Sequence, residues 1–201
     1  MKVLLCGGGN AIHVLTSYIG SQPDCETCIF TLCPGEAEKL QTCIGNRDVI
    51  AENDLGNGTV HGQPDLVTDD PAKTVESGDI DVVIMAIPST FHSNYLEALK
   101  SYLKPGCVIG AMPGQSGFDL CVRHILGKKF VQESSIFALE TLPWACRILE
   151  YGRSVQGKVI VSMRRYDIHG YRKLIHIISL RISYIIHPYS TWHKERDRNC
   201  S

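Results

Sequence analysis

The stretch KVLLC-GGGN-AIHVLTSYI, residues 2–19, decides the fold. Lys2 to Cys6 is a short apolar run with the length of a buried strand. Gly7-Gly8-Gly9-Asn10 follows at once, and apolar positions then recur at helical spacing from Ala11 to Ile19. A strand that passes through a glycine turn straight into a helix predicts the start of a parallel α/β unit. The turn also carries chemistry. Glycines there permit a tight bend and let backbone N–H groups approach a pyrophosphate, and the helix N-terminus adds partial positive charge. The pattern has a flaw: the sixth position of G-x-G-x-x-G is Ile12, where a small residue would let the helix pack closely. A P-loop is excluded, because no Gly-Lys-Ser/Thr follows the glycines.

Outward from this stretch, Gly20 to Asp24 closes the first helix and Thr27 to Leu32 reads as a second strand. Cys33-Pro34-Gly35 is a turn into a second helix, GEAEKLQTCI. The segment RDVIAENDLGNGTVHGQPDLVT has β-rich flanks around Asn57-Gly58, a hairpin signal. Asp70-Pro71 supplies an N-cap and a proline at the first helical position. Ile80 to Ile87 is apolar enough to be buried on both faces of a sheet. In the next helix Tyr95, Leu96, Leu99, Tyr102 and Leu103 share one face. Cys107 to Met112 is another strand, GFDLCVRHILG another helix, and Ser135 to Leu139 leads into ETLPWACRI (140–148). That last mixture suits neither a core strand nor a solvent loop. Six strand candidates alternating with helices predict an α/β fold with a doubly wound parallel sheet.

Composition agrees with a globular chain: 201 residues, 44% hydrophobic and 20% charged. The net charge of −1 argues against a nucleic-acid-binding surface. That average conceals an asymmetry. Residues 1–159 carry 12 Lys and Arg against 18 Asp and Glu, whereas residues 160–201 carry 8 against 3 and hold four of the eight histidines. The predicted division is therefore a nucleotide-binding domain over 1–159 and a basic, divergent tail over 160–201. The apolar start is too short for a signal peptide, and LIHIISLRISYII (174–186) is interrupted by His176 and Arg181. A cytoplasmic protein with no membrane and no nucleic-acid partner is expected. Nine cysteines in a chain of this length read as reduced thiols, and Cys25 and Cys28 as small side chains at a strand start rather than a redox or metal pair.

Cofactor choice in such folds is read where the second strand ends, because an acid there accepts from the ribose 2′-hydroxyl. That position is Cys33, and the nearest acid is Glu36, which would also suit the first turn of a helix. No arginine follows for a 2′-phosphate, so NAD is favoured over NADP. His13 and His92 sit at helix starts and read as hydrogen-bonded structural histidines rather than acid/base groups.

CGGGNAIHVL, VVIMAIPSTFH, GQSGF and ETLPWACRI together resemble the octopine/opine dehydrogenases, from about residue 2 to about residue 160. The resemblance implies a Rossmann-type NAD-binding domain. It also implies an NADH-dependent reductive condensation of an amino acid with pyruvate or another 2-oxo acid, which regenerates NAD in anaerobic glycolysis. It would place Gly7, Gly8, Gly9, Asn10 and Ala11 along the dinucleotide, Cys33, Pro34, Gly35 and Glu36 at the adenosine ribose, and Cys146 near the cofactor. Gln115, Glu140 and Thr141 would face the substrates, and Trp144 would pack toward a second domain. The residue types suit these roles: a carboxylate can hold a cationic amine, and an amide or hydroxyl can orient a keto acid.

The family's second domain, which brings a catalytic histidine and its aspartate, has no full counterpart in this sequence. Ser183 to Pro188 resembles the segment around that histidine, which makes His187 the catalytic candidate. Two readings stay open: a shortened second domain that keeps His187, or a tail of altered splicing or frame in which the match is accidental. The alternation of Ile178, Leu180, Ile182, Tyr184 and Ile186 suits a strand and favours the second. Three functions follow in order: an opine dehydrogenase-type oxidoreductase, an inactive dinucleotide-binding module or subunit partner, and an NAD-dependent 2-hydroxy acid dehydrogenase. Apolar surface facing a missing domain would favour self-association.

Overall fold

The computed structural model describes residues 1–53, 58–115, 117–159 and 165–169. Strand β1 (Lys2–Cys6) enters the glycine turn and helix α1 (Asn10–Gly20), then β2 (Glu26–Phe30) and α2 (Glu36–Ile44). A hairpin of β3 (Val49–Asn53) and β4 (Thr59–Gly62) precedes β5 (Leu66–Thr68). After a 3-10 turn over Pro71–Val75 come β6 (Val82–Met85), α3 (His92–Leu99), β7 (Val108–Ala111), α4 (Phe118–Leu126), α5 (Lys128–Glu133) and β8 (Ser135–Leu139). The chain continues through β9 (Trp144–Glu150) and β10 (Ser154–Val159) to β11 (Arg165–His169).

The main sheet has the order β11-β8-β7-β6-β1-β2-β5, with every pair parallel except the antiparallel edge of β11 on β8. The order reverses between β1 and β6, so the doubly wound sheet predicted from sequence is present, with its switch point beside the glycine turn. Burial on both faces explains why β6 and β7 carry no polar side chain and β1 only Lys2, at its start. Val3, Leu5, Val82, Ile84, Phe137 and Leu139 face one core with α1 and α2. Leu4, Cys6, Val83, Met85, Ile136 and Ala138 face the other, with α3, α4 and α5.

A second sheet, β4-β3-β10-β9, is not anticipated in the sequence. The strands flanking the predicted Asn57-Gly58 turn pair antiparallel, with Val49 opposite Gly62, but β3 also pairs in parallel with β10; residues 54–57 lie outside the described residues. This sheet lies on α1, contributing Val49, Ala51, Trp144 and Val155 to the α1 core. It comes close: a Cβ at Gly62 would run into the carbonyl oxygens of Thr16 and Ser17. Helix α1 is therefore sandwiched between two sheets, which is why Ala11 to Ser17, including the polar His13, Thr16 and Ser17, are all buried.

The same sheet corrects the expectation for ETLPWACRI. Glu140 to Pro143 is a connection, and Trp144–Glu150 is a strand with alternating burial. Trp144 does not pack outward toward a second domain. It is 2% exposed and stacks on Tyr18 of α1, with ring centroids 6.1 Å apart. Asp70 caps as predicted, its Oδ1 accepting from the Ala72 N–H at 2.9 Å, although the turn it starts is 3-10 rather than α. Part of the predicted tail joins the main sheet, as Arg165 pairs with Leu139. Residues 170–201, with His187, lie outside the described residues.

Candidate nucleotide and substrate site

Because β1, β2, β6, β7 and β8 are parallel, their carboxyl ends share one edge of the sheet. The candidate residues Gly7–Ala11, Cys33–Glu36, Gln115, Glu140 and Thr141 follow those ends. The glycine turn lies at the switch point. Gly7 donates its N–H to Phe30 O at 2.9 Å and has φ +118°, and a Cβ there would come within 2.7 Å of Ile87 Cγ2 after β6. Only glycine suits that conformation and space. A Cβ at Gly8 would overlap the Glu36 carboxylate, whereas at Gly9 it would meet nothing within 4 Å. The turn is thus a strip of bare backbone, packed below at Gly7 and Gly8 and open at Gly9. No side chain caps α1, and its first turn holds no acid, so the helix N-terminus keeps its attraction for an anion. These residues fit a dinucleotide pyrophosphate.

Ile12, the flaw in the glycine pattern, is fully buried between the turn and the sheet core. Asn10 has a further role unforeseen in the sequence: its Oδ1 accepts from the Ile148 N–H of β9 at 2.8 Å, tying the start of α1 to the second sheet. His13 is structural, as predicted. It is 2% exposed, its Nδ1 is 2.9 Å from Gly9 O and its Nε2 is 2.8 Å from Gly152 N. That geometry assigns the proton to Nδ1, leaving Nε2 to accept from the Gly152 N–H. Burial lowers the His13 pKa, against smaller raising effects from the Gly9 bond and the Glu36 charge. Burial likewise lowers that of His92, which packs edge-on against Phe118.

At the end of β2 the structure collects a cluster around Glu36. Thr31 donates its hydroxyl to Glu36 Oε2, and the Tyr151 hydroxyl is 3.5 Å from Oε1. Tyr95 OH is 3.5 Å from Thr31 Oγ1 and accepts from the Leu32 N–H at 3.0 Å. Glu36 is therefore a fixed acceptor beside the glycine strip, not merely a first-turn acid. Cys33, Pro34 and Gly35 are exposed around the same corner. Thr31, Tyr95 and Tyr151 escape a sequence search because nothing local marks them. The pairing of a glycine turn with Glu36 was the available signal.

At the other end of the edge, Gly114 donates to Leu139 O at 2.6 Å, which brings the β7 and β8 ends together and Gln115 near the start of Glu140-Thr141. Gln115 Oε1 accepts from Ser89 Oγ at 2.8 Å, a contact that leaves the amide N–H groups to donate elsewhere. Glu140 and Thr141 are exposed. Cys146 stands opposite Gly157 on β10, half-buried against the α1 core, and burial raises its thiol pKa. Cys28 is buried with its pKa pushed up to about 12, chiefly by burial, which holds it as the thiol. Among the described residues no helix is long and apolar enough to cross a membrane.

A doubly wound sheet with a bare glycine turn and an uncapped helix start at its switch point defines a Rossmann-type nucleotide-binding domain. No protein-family model matches the chain. Octopine dehydrogenase of Mizuhopecten yessoensis is 36% identical over 159 residues, covering 78% of this chain and 39% of that protein. Opine dehydrogenase of Haliotis discus hannai is 39% identical over 162 residues, with the same coverages. A structure of octopine dehydrogenase with NADH and L-arginine superposes with a TM-score of 0.79 at 31% identity, over 93% of this chain and 46% of that one. The chain is thus a homologue of the NAD-binding portion of octopine and opine dehydrogenases. It spans less than half the length of the relatives it matches.

Proposed function

We propose that this chain binds NAD(H) in the crevice between β1 and β6 and serves an opine dehydrogenase reaction. In that reaction an amino acid and pyruvate, or another 2-oxo acid, are condensed and reduced. The observation that carries this reading is the similarity to octopine, opine and tauropine dehydrogenases over more than three quarters of the chain, with relatives' structures holding NADH, L-arginine and pyruvate. Bound NADH would supply the hydride.

The chain's own residues would divide the remaining work. Gly7 to Ala11 present backbone and a helix N-terminus to the pyrophosphate. Glu36, with Cys33, Pro34 and Gly35 around it, accepts from the adenosine ribose. Cys146 would approach the cofactor from β9. Glu140 would hold the cationic amine of the amino acid by charge. Gln115, its carbonyl taken by Ser89, would donate amide N–H to the keto acid, with Thr141 beside it. His187 is the proposed proton donor and acceptor for the condensation, a role typically worth ~10²–10⁴-fold in rate.

The test is NADH oxidation by the purified 201-residue chain with pyruvate and a panel of arginine, alanine, glycine, β-alanine and taurine. Turnover that requires one of these amines is expected. Measurable NADH binding with no amine-dependent turnover would remove the enzymatic reading and leave the binding module. Turnover with pyruvate alone would point to hydroxy-acid chemistry.

A further inference from the structure

Tyr151 sits in the turn between β9 and β10, 115 residues along the chain from Glu36, yet its hydroxyl is 3.5 Å from the Glu36 carboxylate. Its ring lies under Lys39, with Nζ 4.4 Å from the centroid. Lys39 is exposed and stands one turn along α2 from Glu36. Arg153, in the same turn as Tyr151, is part-buried with Nη1 enclosed. His13 fixes the turn by accepting from the Gly152 N–H, its ring 5.2 Å from that of Tyr151. Burial first, then the Glu36 charge, push the Tyr151 pKa up to about 12, so the phenol remains a donor at any physiological pH.

We propose that Tyr151 sets the choice between NADH and NADPH, by steadying Glu36 as acceptor for a ribose 2′-hydroxyl and holding the Lys39 charge on its ring. A 2′-phosphate would then meet the Glu36 carboxylate while the Lys39 charge is held on the ring, and like charges repel. The Lys39 contact matters as much as the hydroxyl, because a lysine released from the ring could turn to a phosphate. This rests on the dinucleotide reading of the Gly7–Asn10 crevice.

The experiment is fluorescence titration of the full chain with NADH and, separately, NADPH, with melting curves as a check on folding. Wild type should bind NADH more tightly. Y151F should weaken NADH about 3- to 10-fold, the net scale of one ordinary hydrogen bond, and leave NADPH unchanged. Y151L should also tighten NADPH, and K39M added to it should reverse that gain. An NADH-to-NADPH ratio unchanged in folded Y151F and Y151L would overturn the proposal. Should Y151L fail to fold, Y151F alone decides. A wild type that binds both equally, or prefers NADPH, overturns the Tyr151 role while leaving the dinucleotide site standing. A wild type that binds neither overturns both.

Discussion

Along the carboxyl edge of the sheet, the β1–β2 corner and the β7–β8 corner are finished to different degrees. At the first, Glu36 meets Thr31, Tyr151 and the Gly8 backbone, and His13 locks α1 to the second sheet. At the second, Glu140 and Thr141 are exposed and Gln115 is held by Ser89. A corner whose acceptors are already oriented can recognise a ligand with little reorganisation, since the ordering cost is met on folding. The exposed corner has groups of suitable chemistry without comparable fixation. Nucleotide binding is accordingly the property this fold supports most directly.

The comparison breaks first if the second sheet is not integral to the nucleotide corner. Removing Trp144, which is 2% exposed and stacked on Tyr18, should destabilise the whole domain. W144A is expected to cost about 3–5 kcal/mol in chemical denaturation, with one cooperative transition for both sheets. Two separate transitions would show that the sheets fold independently.

A smaller effect should follow pH. The His13 pKa is lowered in the folded chain, so the unfolded chain binds the extra proton first. The stability held by neutral His13 is complete above about pH 6.5, the ordinary histidine value, and is lost as pH falls toward the folded pKa. Protonated Nε2 would oppose the Gly152 N–H that it now accepts from. Denaturation midpoints should fall between pH 7.5 and 5.5, and less steeply in H13Q; His92, shifted in the same direction, accounts for a residual slope. Equal slopes in H13Q and wild type would remove His13 as the pH-sensitive tie.

The smallest effect sharpens the contrast from the other side. E140Q should change NADH affinity by less than about 2-fold, the range of exposed substitutions, while lowering any amine-dependent turnover. A large loss of NADH affinity in E140Q would show that the two corners are not separable.

What was legible in the sequence follows from range. The β1–turn–α1 unit, the antiparallel pairing of β3 with β4 and the Asp70 cap are local patterns, and each is found where it was predicted. Helix α1 conceals its second sheet: His13, Thr16 and Ser17 share one helical side as a polar face would, yet Ala11 to Ser17 are all buried. The second sheet remained hidden because its strands come from residues 49–62 and 144–159, and no local pattern states that β3 pairs with β10. The odd composition of ETLPWACRI has the same origin. Its connection, Glu140 to Pro143, faces the edge, while Trp144 onward alternates between the α1 core and solvent. Glu36 could be nominated from spacing, but not the hydroxyls of Thr31 and Tyr151 that orient it, which meet it only in three dimensions.

The central claim is that the bare backbone at Gly7 to Asn10 holds a dinucleotide, and NADH titration of wild type and G9D tests it most directly. A Cβ at Gly9 meets nothing within 4 Å, so the fold itself has room for the aspartate. The added charge and bulk would stand where the pyrophosphate must lie. Saturable NADH binding by wild type, weakened at least about 100-fold in a G9D protein with an unchanged melting curve, is the predicted result. Equal NADH affinity in the two proteins would contradict it.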